Sequence, residues 1–211
     1  MASPVEAQRH TANGTEPNME KVKEPIAATT VPWRFTAADY HRMGEVGIFH
    51  PDDRVELIEG VILRMSPIGD RHAGRVIVLT RIFSLTLGER AYISVQNAVR
   101  LSEHSEPEPD LVVMRLPEAG ESVRAPHPRD ILLLIEVSDT TLGFDRDTKV
   151  PLYAEAGIPE VWILDLPGDR LRIYRDPSNG EYRSITVLTR DDRVSLTAFP
   201  DITLTVEEIL G

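Results

Sequence analysis

The chain has 211 residues, of which 41% are hydrophobic and 27% charged, an ordinary balance for one globular domain with a full core. Cysteine is absent, which excludes disulfides and thiolate metal sites, and the formal net charge of −11 argues against a protein that binds nucleic acid through phosphates alone. Because no apolar stretch approaches the ~20 residues that cross a bilayer and no secretory signal is recognisable, we expect a cytoplasmic protein with no membrane partner.

Residues 1–30 are rich in alanine, threonine, glutamate and proline and contain few large apolar side chains. Such a segment buries too little surface to offset the entropy of ordering, which predicts a disordered tail. Sequence typical of a folded protein begins near Trp33. We therefore expect one domain over residues 31–211.

The first folded segment predicts a short helix and a hairpin. Thr36 followed by Asp39 resembles a capping box, which would open a helix running to about Val46. Residues 54–67 alternate apolar and polar side chains around the dipeptide Glu59-Gly60. That pattern is typical of a hairpin with a tight turn.

A longer helix is predicted from Asp70, which can cap it, to Leu87, with Gly88 ending it. Its apolar residues keep helical spacing and should face the core: Val76, Leu79, Ile82, Phe83 and Leu87. The opposite face carries three arginines: Arg71, Arg75 and Arg81.

The rest of the chain is mainly strand. Strands are predicted at residues 91–95, 98–101, 110–114, 131–137, 160–166, 170–175 and 181–189. A helix over residues 145–156 interrupts them, and Thr205 with Glu208 forms a second capping box for a terminal helix. This order predicts an α/β (α+β) fold with a mixed central sheet flanked by helices.

Glu136 follows an apolar run, residues 131–135, that is typical of a strand buried on both faces. An unpaired buried charge costs several kcal/mol, so this carboxylate must be neutralised, ion-paired or bound to a metal. Asp110 opens another apolar strand, and if the two strands pair, the carboxylates lie close together and demand a cation. Oxygen ligands favour Mg²⁺ or Mn²⁺ over zinc. The alternative is an ion pair with an arginine such as Arg129 or Arg146.

Five pieces of the sequence, in order and spacing, resemble the Uma-two family of restriction-endonuclease-like proteins: VELIEG, PEPDLVV, LLLIEVS, D(x)₃K(x)₃Y and AEAGIPEVWILD. The resemblance covers about Phe35 to Tyr174. It implies the PD-(D/E)XK nuclease superfamily, a restriction-endonuclease-like fold and Mg²⁺-dependent cleavage of phosphodiester bonds. By position, Asp110 matches the aspartate of the PD element and Glu136 matches the (D/E) element.

The chain departs from the superfamily pattern at Ser138, which stands where a lysine is expected. A serine cannot supply the positive charge that stabilises a phosphoryl transition state. In the Uma-two pattern the lysine comes from the following helix, and Lys149 matches it; Tyr153, on the same helix face, could hydrogen-bond a phosphate or simply pack. The alternative for Lys149 is a surface pair with Asp145, worth a few tenths of a kcal/mol.

Four further side chains are candidates for the site, each with a structural alternative. Glu56 in VELIEG matches an early glutamate of the family and could add a metal ligand, or it could be an exposed hairpin carboxylate. Gln96 could orient water or substrate, or be a structural amide. His72 and Arg75, with Arg71 near a helix start, could receive a phosphate, or lie on a solvated helix face.

Together these features predict a metal-dependent DNA endonuclease that acts as a homodimer, since such nucleases cut both strands. The acidic charge does not forbid DNA as a partner, because a bound cation neutralises carboxylates. Two rivals remain. One is a binding or scaffolding module that keeps the fold without turnover, favoured by the charge and by Ser138. The other is a metal-dependent hydrolase of another phosphoester.

Overall fold

The computed structural model describes residues 31–50 and 52–211, and Trp33–Gly211 forms one compact unit. The predicted tail, residues 1–30, lies outside the described residues. No helix in the described ranges is long and apolar enough to cross a membrane.

The helices and strands of the described residues follow the predicted mixture. The helices are α1 Ala37–Glu45, α2 Asp70–Leu87, α3 Leu142–Phe144, α4 Val150–Glu155 and α5 Val206–Leu210, with a π-helical turn, Asp145–Lys149, between α3 and α4. The strands are β1 Val55–Ile58, β2 Val61–Arg64, β3 Tyr92–Val95, β4 Leu111–Met114, β5 Ile131–Ser138, β6 Glu160–Asp165, β7 Arg170–Ser178, β8 Glu181–Leu188, β9 Arg193–Leu196 and β10 Phe199–Thr205.

Six of the strands form one mixed sheet in the order β3-β4-β5-β6-β7-β8. All neighbours are antiparallel except β5 and β6, which are parallel because the chain crosses from the end of β5 to the start of β6 through the helical segment 142–155. The predicted mixed α/β fold is therefore confirmed.

Both faces of the central strands are buried, which explains their continuous apolar runs. On one face Leu133 and Ile135 of β5 pack with α2 and α5, whereas Leu134 packs with α4 on the other. Since strand side chains alternate, Glu136 points to the same face as Leu134. Glu136 is thus directed at α4 and the π turn.

The predicted local signals of the first segment are confirmed. The Thr36 side chain accepts from the backbone N–H of Asp39 and the Asp39 carboxylate accepts from that of Thr36, a complete capping box. The β1–β2 hairpin turns through Glu59 at φ 48° and Gly60 at φ 76°. Two positive φ values are the signature of the tight turns whose twist suits a hairpin.

Three predicted details are wrong. Asp70 begins α2 but does not cap it, because the N-cap is Gly69 and no side chain bonds there. Residues 98–101 are not a strand; they form a loop in which the N–H of Val99 donates to the carbonyl of Pro107. The β9–β10 hairpin, absent from the predicted elements, packs against the sheet face that also holds α2.

The helix predicted over residues 145–156 is helical but irregular. The helical segment begins earlier, with α3, and the predicted range starts with the π turn, in which the N–H of Val150 donates to the carbonyl of Asp145 five residues earlier. Pro151 follows at once and has no N–H to give, which explains why the regular hydrogen-bond ladder is interrupted here. The wider turn buries both Asp145 and Lys149.

Candidate active site

A cleft of about 600 Å³ opens at the carboxyl end of β5. One wall is formed by the segment 63–69 between β2 and α2, and the other by the segment 139–145 that leads from β5 into α3 and the π turn. Its floor gathers five of the residues singled out in the sequence: Glu56, His72, Asp110, Glu136 and Lys149.

Asp110 lies directly before β4 and is tied to β5. Its Oδ2 accepts a hydrogen bond from the backbone N–H of Val137 at 2.8 Å and faces His72 Nε2 at 3.0 Å. The pair Leu111–Ile135 in the β4–β5 ladder places Asp110 next to Glu136. The expectation that the two strands pair is confirmed.

Glu136 is 3% exposed, and its Oε1 accepts hydrogen bonds from Tyr153 Oη at 2.6 Å and Lys149 Nζ at 3.3 Å. Burial raises the pKa of Glu136 to about 8, with the Lys149 ammonium opposing the rise and the charges of Asp145 and Asp110 adding to it. The carboxyl group of Glu136 is therefore poorly compensated in the absence of a further cation.

Lys149 is 4% exposed and its Nζ lies between two glutamates, 3.1 Å from Glu56 Oε2 and 3.3 Å from Glu136 Oε1. Burial lowers the pKa of Lys149, but Glu136 and Glu56 more than offset this, so that the pKa lies above its ordinary value. Lys149 is a charged ammonium at the floor of the cleft. It does not form the surface pair with Asp145 that was the alternative.

Ser138, which stands where the superfamily pattern has a lysine, hydrogen-bonds an acidic residue. Its Oγ donates to Asp145 Oδ2 at 2.7 Å, and Thr141 Oγ1 donates to the same oxygen at 2.5 Å. The residue at the usual lysine position thus fixes a further acid that lines the cleft. Sequence reasoning missed this role of Asp145, although the spacing of four residues between Thr141 and Asp145 was a usable signal.

The three remaining predicted site residues, Tyr153, Gln96 and Arg75, do not line the cleft. Tyr153 is fully buried beneath Glu136 and does not line the cleft, so it is not in position to hydrogen-bond a phosphate there. Gln96 follows β3 and its Nε2 lies 3.4 Å from Asp110 Oδ1. Arg75 points away, because its guanidinium donates to the carbonyls of Glu208 and Ile209 at the end of α5.

The arginines considered as alternative partners are engaged elsewhere. Arg129 lies 3.7 Å from Asp130, and Arg146 bonds its neighbour Asp147. The alternative of arginine pairing for Asp110 and Glu136 is therefore not seen in the described residues, and the cations near them are His72, when protonated, and Lys149.

The lining of the cleft suits a hard cation. Six acidic side chains line it: Glu56, Glu108, Asp110, Glu136, Asp139 and Asp145. Three arginine or lysine side chains line it as well: Arg54, Arg64 and Lys149. Within residues 31–50 and 52–211, no group of three or more acidic or histidine side chains is arranged to enclose a metal. Mg²⁺ does not require such a cage, since it is typically held by one or two carboxylates, water and substrate phosphates. Asp110 and Glu136 fit that requirement.

The Uma2 family model, described as "Putative restriction endonuclease", matches residues 37–207. Among solved structures, the chain is similar to the crystal structure of "a putative nuclease belonging to DUF820" from Anabaena variabilis ATCC 29413, with a TM-score of 0.66 and 15% identity over 83% of this chain and 97% of that one. No curated protein matches the chain. The family supports a nuclease, and the structural likeness shows the nuclease-type fold.

Proposed function

We propose, because this chain belongs to the Uma2 family, that it is a metal-dependent endonuclease that hydrolyses DNA phosphodiester bonds. The observation that carries the proposal is the position of Lys149. Its ammonium lies 3.3 Å from Glu136 in the cleft that Asp110 also lines, although the sequence separates it from the usual lysine position by eleven residues, from 138 to 149.

Asp110 and Glu136 would hold the Mg²⁺ or Mn²⁺ ion, with Glu56 close enough to add an oxygen directly or through water. When bound, such an ion neutralises charge on the scissile phosphate and lowers the pKa of water. The excess of acids over bases in the cleft makes this cation necessary, because a bare phosphate would otherwise be repelled.

Lys149 supplies fixed positive charge rather than a base. An ammonium whose pKa is raised holds its proton near neutral pH, so it cannot take a proton from water. It can donate a hydrogen bond to the attacking water or to a phosphate oxygen and stabilise the charge that develops there. Tyr153 fixes the Glu136 carboxylate from below through its 2.6 Å hydrogen bond.

The test combines cleavage with cation binding. Supercoiled plasmid and a labelled DNA duplex are incubated with the protein and Mg²⁺ or Mn²⁺, with a chelator as the blank, and Mn²⁺ is titrated calorimetrically. Asp110→Asn and Glu136→Gln should each reduce cleavage by about 10²-fold or more and weaken Mn²⁺ binding. Asp201→Asn, which alters an exposed acid paired with Arg90, is the matched control and should behave as the wild type. Cleavage that survives both site substitutions contradicts the proposal.

A second candidate is a binding module without turnover. It is favoured by one observation: the Lys149 ammonium already lies between Glu56 and Glu136, where a metal ion would otherwise neutralise them. Mn²⁺ binding without cleavage of any DNA substrate would select this candidate. Cleavage of small phosphodiesters but not of DNA would indicate another phosphoesterase. The predicted homodimer is checked in the same preparations by light scattering.

A further inference from the structure

His72 is in the first turn of α2 and contacts Asp110, which the proposed function assigns to the metal site. Its Nε2 lies 3.0 Å from Asp110 Oδ2, and its side chain is only 17% exposed. Because a carboxylate offers acceptors only, Nε2 carries the hydrogen in this contact and donates it. The helix and the start of β4 are thereby joined through one carboxylate oxygen.

The two oxygens of Asp110 have unequal surroundings. Oδ2 receives two donors, His72 Nε2 and the backbone N–H of Val137, which occupy both of its lone pairs. Within the described residues, Oδ1 is approached by the amide of Gln96 alone, at the long distance of 3.4 Å. The oxygen with free acceptor capacity is therefore Oδ1.

The terminal torsion of an aspartate, χ2, has a broad distribution, so the side chain alone does not fix which carboxylate oxygen faces the cleft. A single backbone donor still lets the carboxylate turn about that one hydrogen bond. A second donor on the same oxygen, from another element, removes this freedom. His72 is the donor that does so.

The other ring nitrogen argues against the role predicted from the sequence, in which His72 receives a phosphate. His72 Nδ1 is buried and has no hydrogen-bond partner in the described part of the chain. A phosphate in the cleft could not reach this atom without displacement of the ring. Among the residues that the structure describes, the polar atoms of the ring contact Asp110 alone.

We infer that His72 is a positioning residue, which holds Asp110 Oδ2 so that Oδ1 is presented to the divalent cation. The inference rests on the proposed function, because it concerns the same site. Residues that hydrogen-bond a metal ligand commonly contribute about 10- to 100-fold to metal affinity or activity. Loss of the His72 donor should therefore weaken cation binding even when no DNA is present.

The test is Mn²⁺ titration of the whole chain by calorimetry, without DNA. His72→Phe, which keeps a ring but removes the donor, should raise the Mn²⁺ dissociation constant about 10-fold or more. His72→Gln, whose amide nitrogen can occupy the place of Nε2, should stay within about 3-fold of the wild type. His41→Phe is the matched control, since His41 also contacts a carboxylate, that of Glu106 at 2.7 Å, but lies outside the cleft. The Mn²⁺ affinity of this variant should equal that of the wild type.

Each variant is first checked by thermal unfolding, and His72→Leu replaces His72→Phe if the latter does not fold. Unchanged affinity in the donor-less variant overturns the inference and leaves the proposed function intact. Equal loss in His72→Gln and His72→Phe also overturns it, because the donor would then not be what matters. A wild-type protein that binds no Mn²⁺ overturns both the inference and the metal-dependent function.

Discussion

Two glutamates are buried on the neighbouring strands β5 and β6, and they are compensated in different ways. Glu160, at the start of β6, is fully buried and accepts hydrogen bonds on both carboxylate oxygens, from Trp162 Nε1 and Arg175 on one and from the N–H of Thr197 on the other. Glu136 lies near the carboxyl end of β5, and within the described residues both of its donors, Tyr153 and Lys149, are on Oε1.

The comparison separates a charge that stabilises the fold from one that is available for chemistry. Arg175 neutralises Glu160 and also donates to the carbonyl of Ser195, so the pair fastens the β9–β10 hairpin to the sheet. Lys149 is shared between Glu136 and Glu56, and burial raises the pKa of Glu136 to about 8. A carboxyl group that is costly to ionise and faces a cleft has free-energy reason to bind a cation.

The largest expected difference is in catalysis. Glu136→Gln should reduce DNA cleavage by about 10²–10³-fold, because loss of a metal-holding charge forfeits about 3–4 kcal/mol of transition-state stabilisation. Glu160→Gln, the matched amide substitution, should cleave within about 3-fold of the wild type. Initial rates of plasmid nicking at saturating Mn²⁺ measure both. Comparable losses in the two variants would remove the distinction between the sites.

Substitution of Lys149, whose ammonium is shared between Glu56 and Glu136, should give the next largest loss of cleavage. Lys149→Met removes the ammonium between Glu56 and Glu136 but keeps a long apolar stem. We expect cleavage to fall about 10²-fold, since one preorganised donor to a developing charge is worth about 3 kcal/mol. Single-turnover rates measured over a range of Mn²⁺ concentrations test this. Recovery of full activity at high Mn²⁺ would mean that Lys149 affects cation binding and not the chemical step.

Glu160 should contribute more than Glu136 to the stability of the fold. Glu160→Gln leaves Arg175 without its carboxylate, and removal of one partner of a buried pair costs about 3–5 kcal/mol. Because the Arg175 side chain is about a third exposed, we expect the lower figure of about 2–3 kcal/mol. Urea denaturation measures the free energy of unfolding. Glu136→Gln should lower the free energy of unfolding by less than Glu160→Gln does. A larger loss in Glu136→Gln would mean that Glu136 matters more to the fold than Glu160.

The pH dependence of stability should carry a further contribution from Glu136, because its pKa is raised in the folded chain. The pKa of Glu136 is about 8 in the folded chain and near 4.5 in the unfolded chain, so between these values the folded state holds the extra proton. Stability therefore falls as pH rises through this window, by at most about 1.4 kcal/mol per pH unit from this group.

The measurement is the midpoint of thermal unfolding from pH 5 to pH 8 without divalent cations. The difference between the wild type and Glu136→Gln should shift in favour of the variant as pH rises. Parallel curves for the wild type and Glu136→Gln would show that Glu136 is already ionised at pH 5.

Sequence reasoning succeeded where neighbouring residues decide the outcome. The Thr36 and Thr205 capping boxes, the Glu59-Gly60 turn and the strand over residues 131–138 follow from local hydrogen bonding, positive φ and apolar runs. It also singled out Asp110 and Glu136 as candidates, because a charge at the end of a buried strand has few explanations, whereas Lys149 became a candidate through the family resemblance. Their family resemblance rests on the same short pieces, and the family is confirmed.

The sequence by itself therefore determined most of the elements and the mixed sheet, and it supplied three candidate site residues, Asp110, Glu136 and Lys149. The tertiary structure alone decided that Arg75 reaches the end of α5, 133 residues away, and that His72 reaches Asp110, 38 residues away. It also decided that Ser138 fixes Asp145 and that Lys149 lies between two glutamates. The physical reason is that such partners meet only when strands and helices pack, and no local propensity encodes which carboxylate a distant cation will reach.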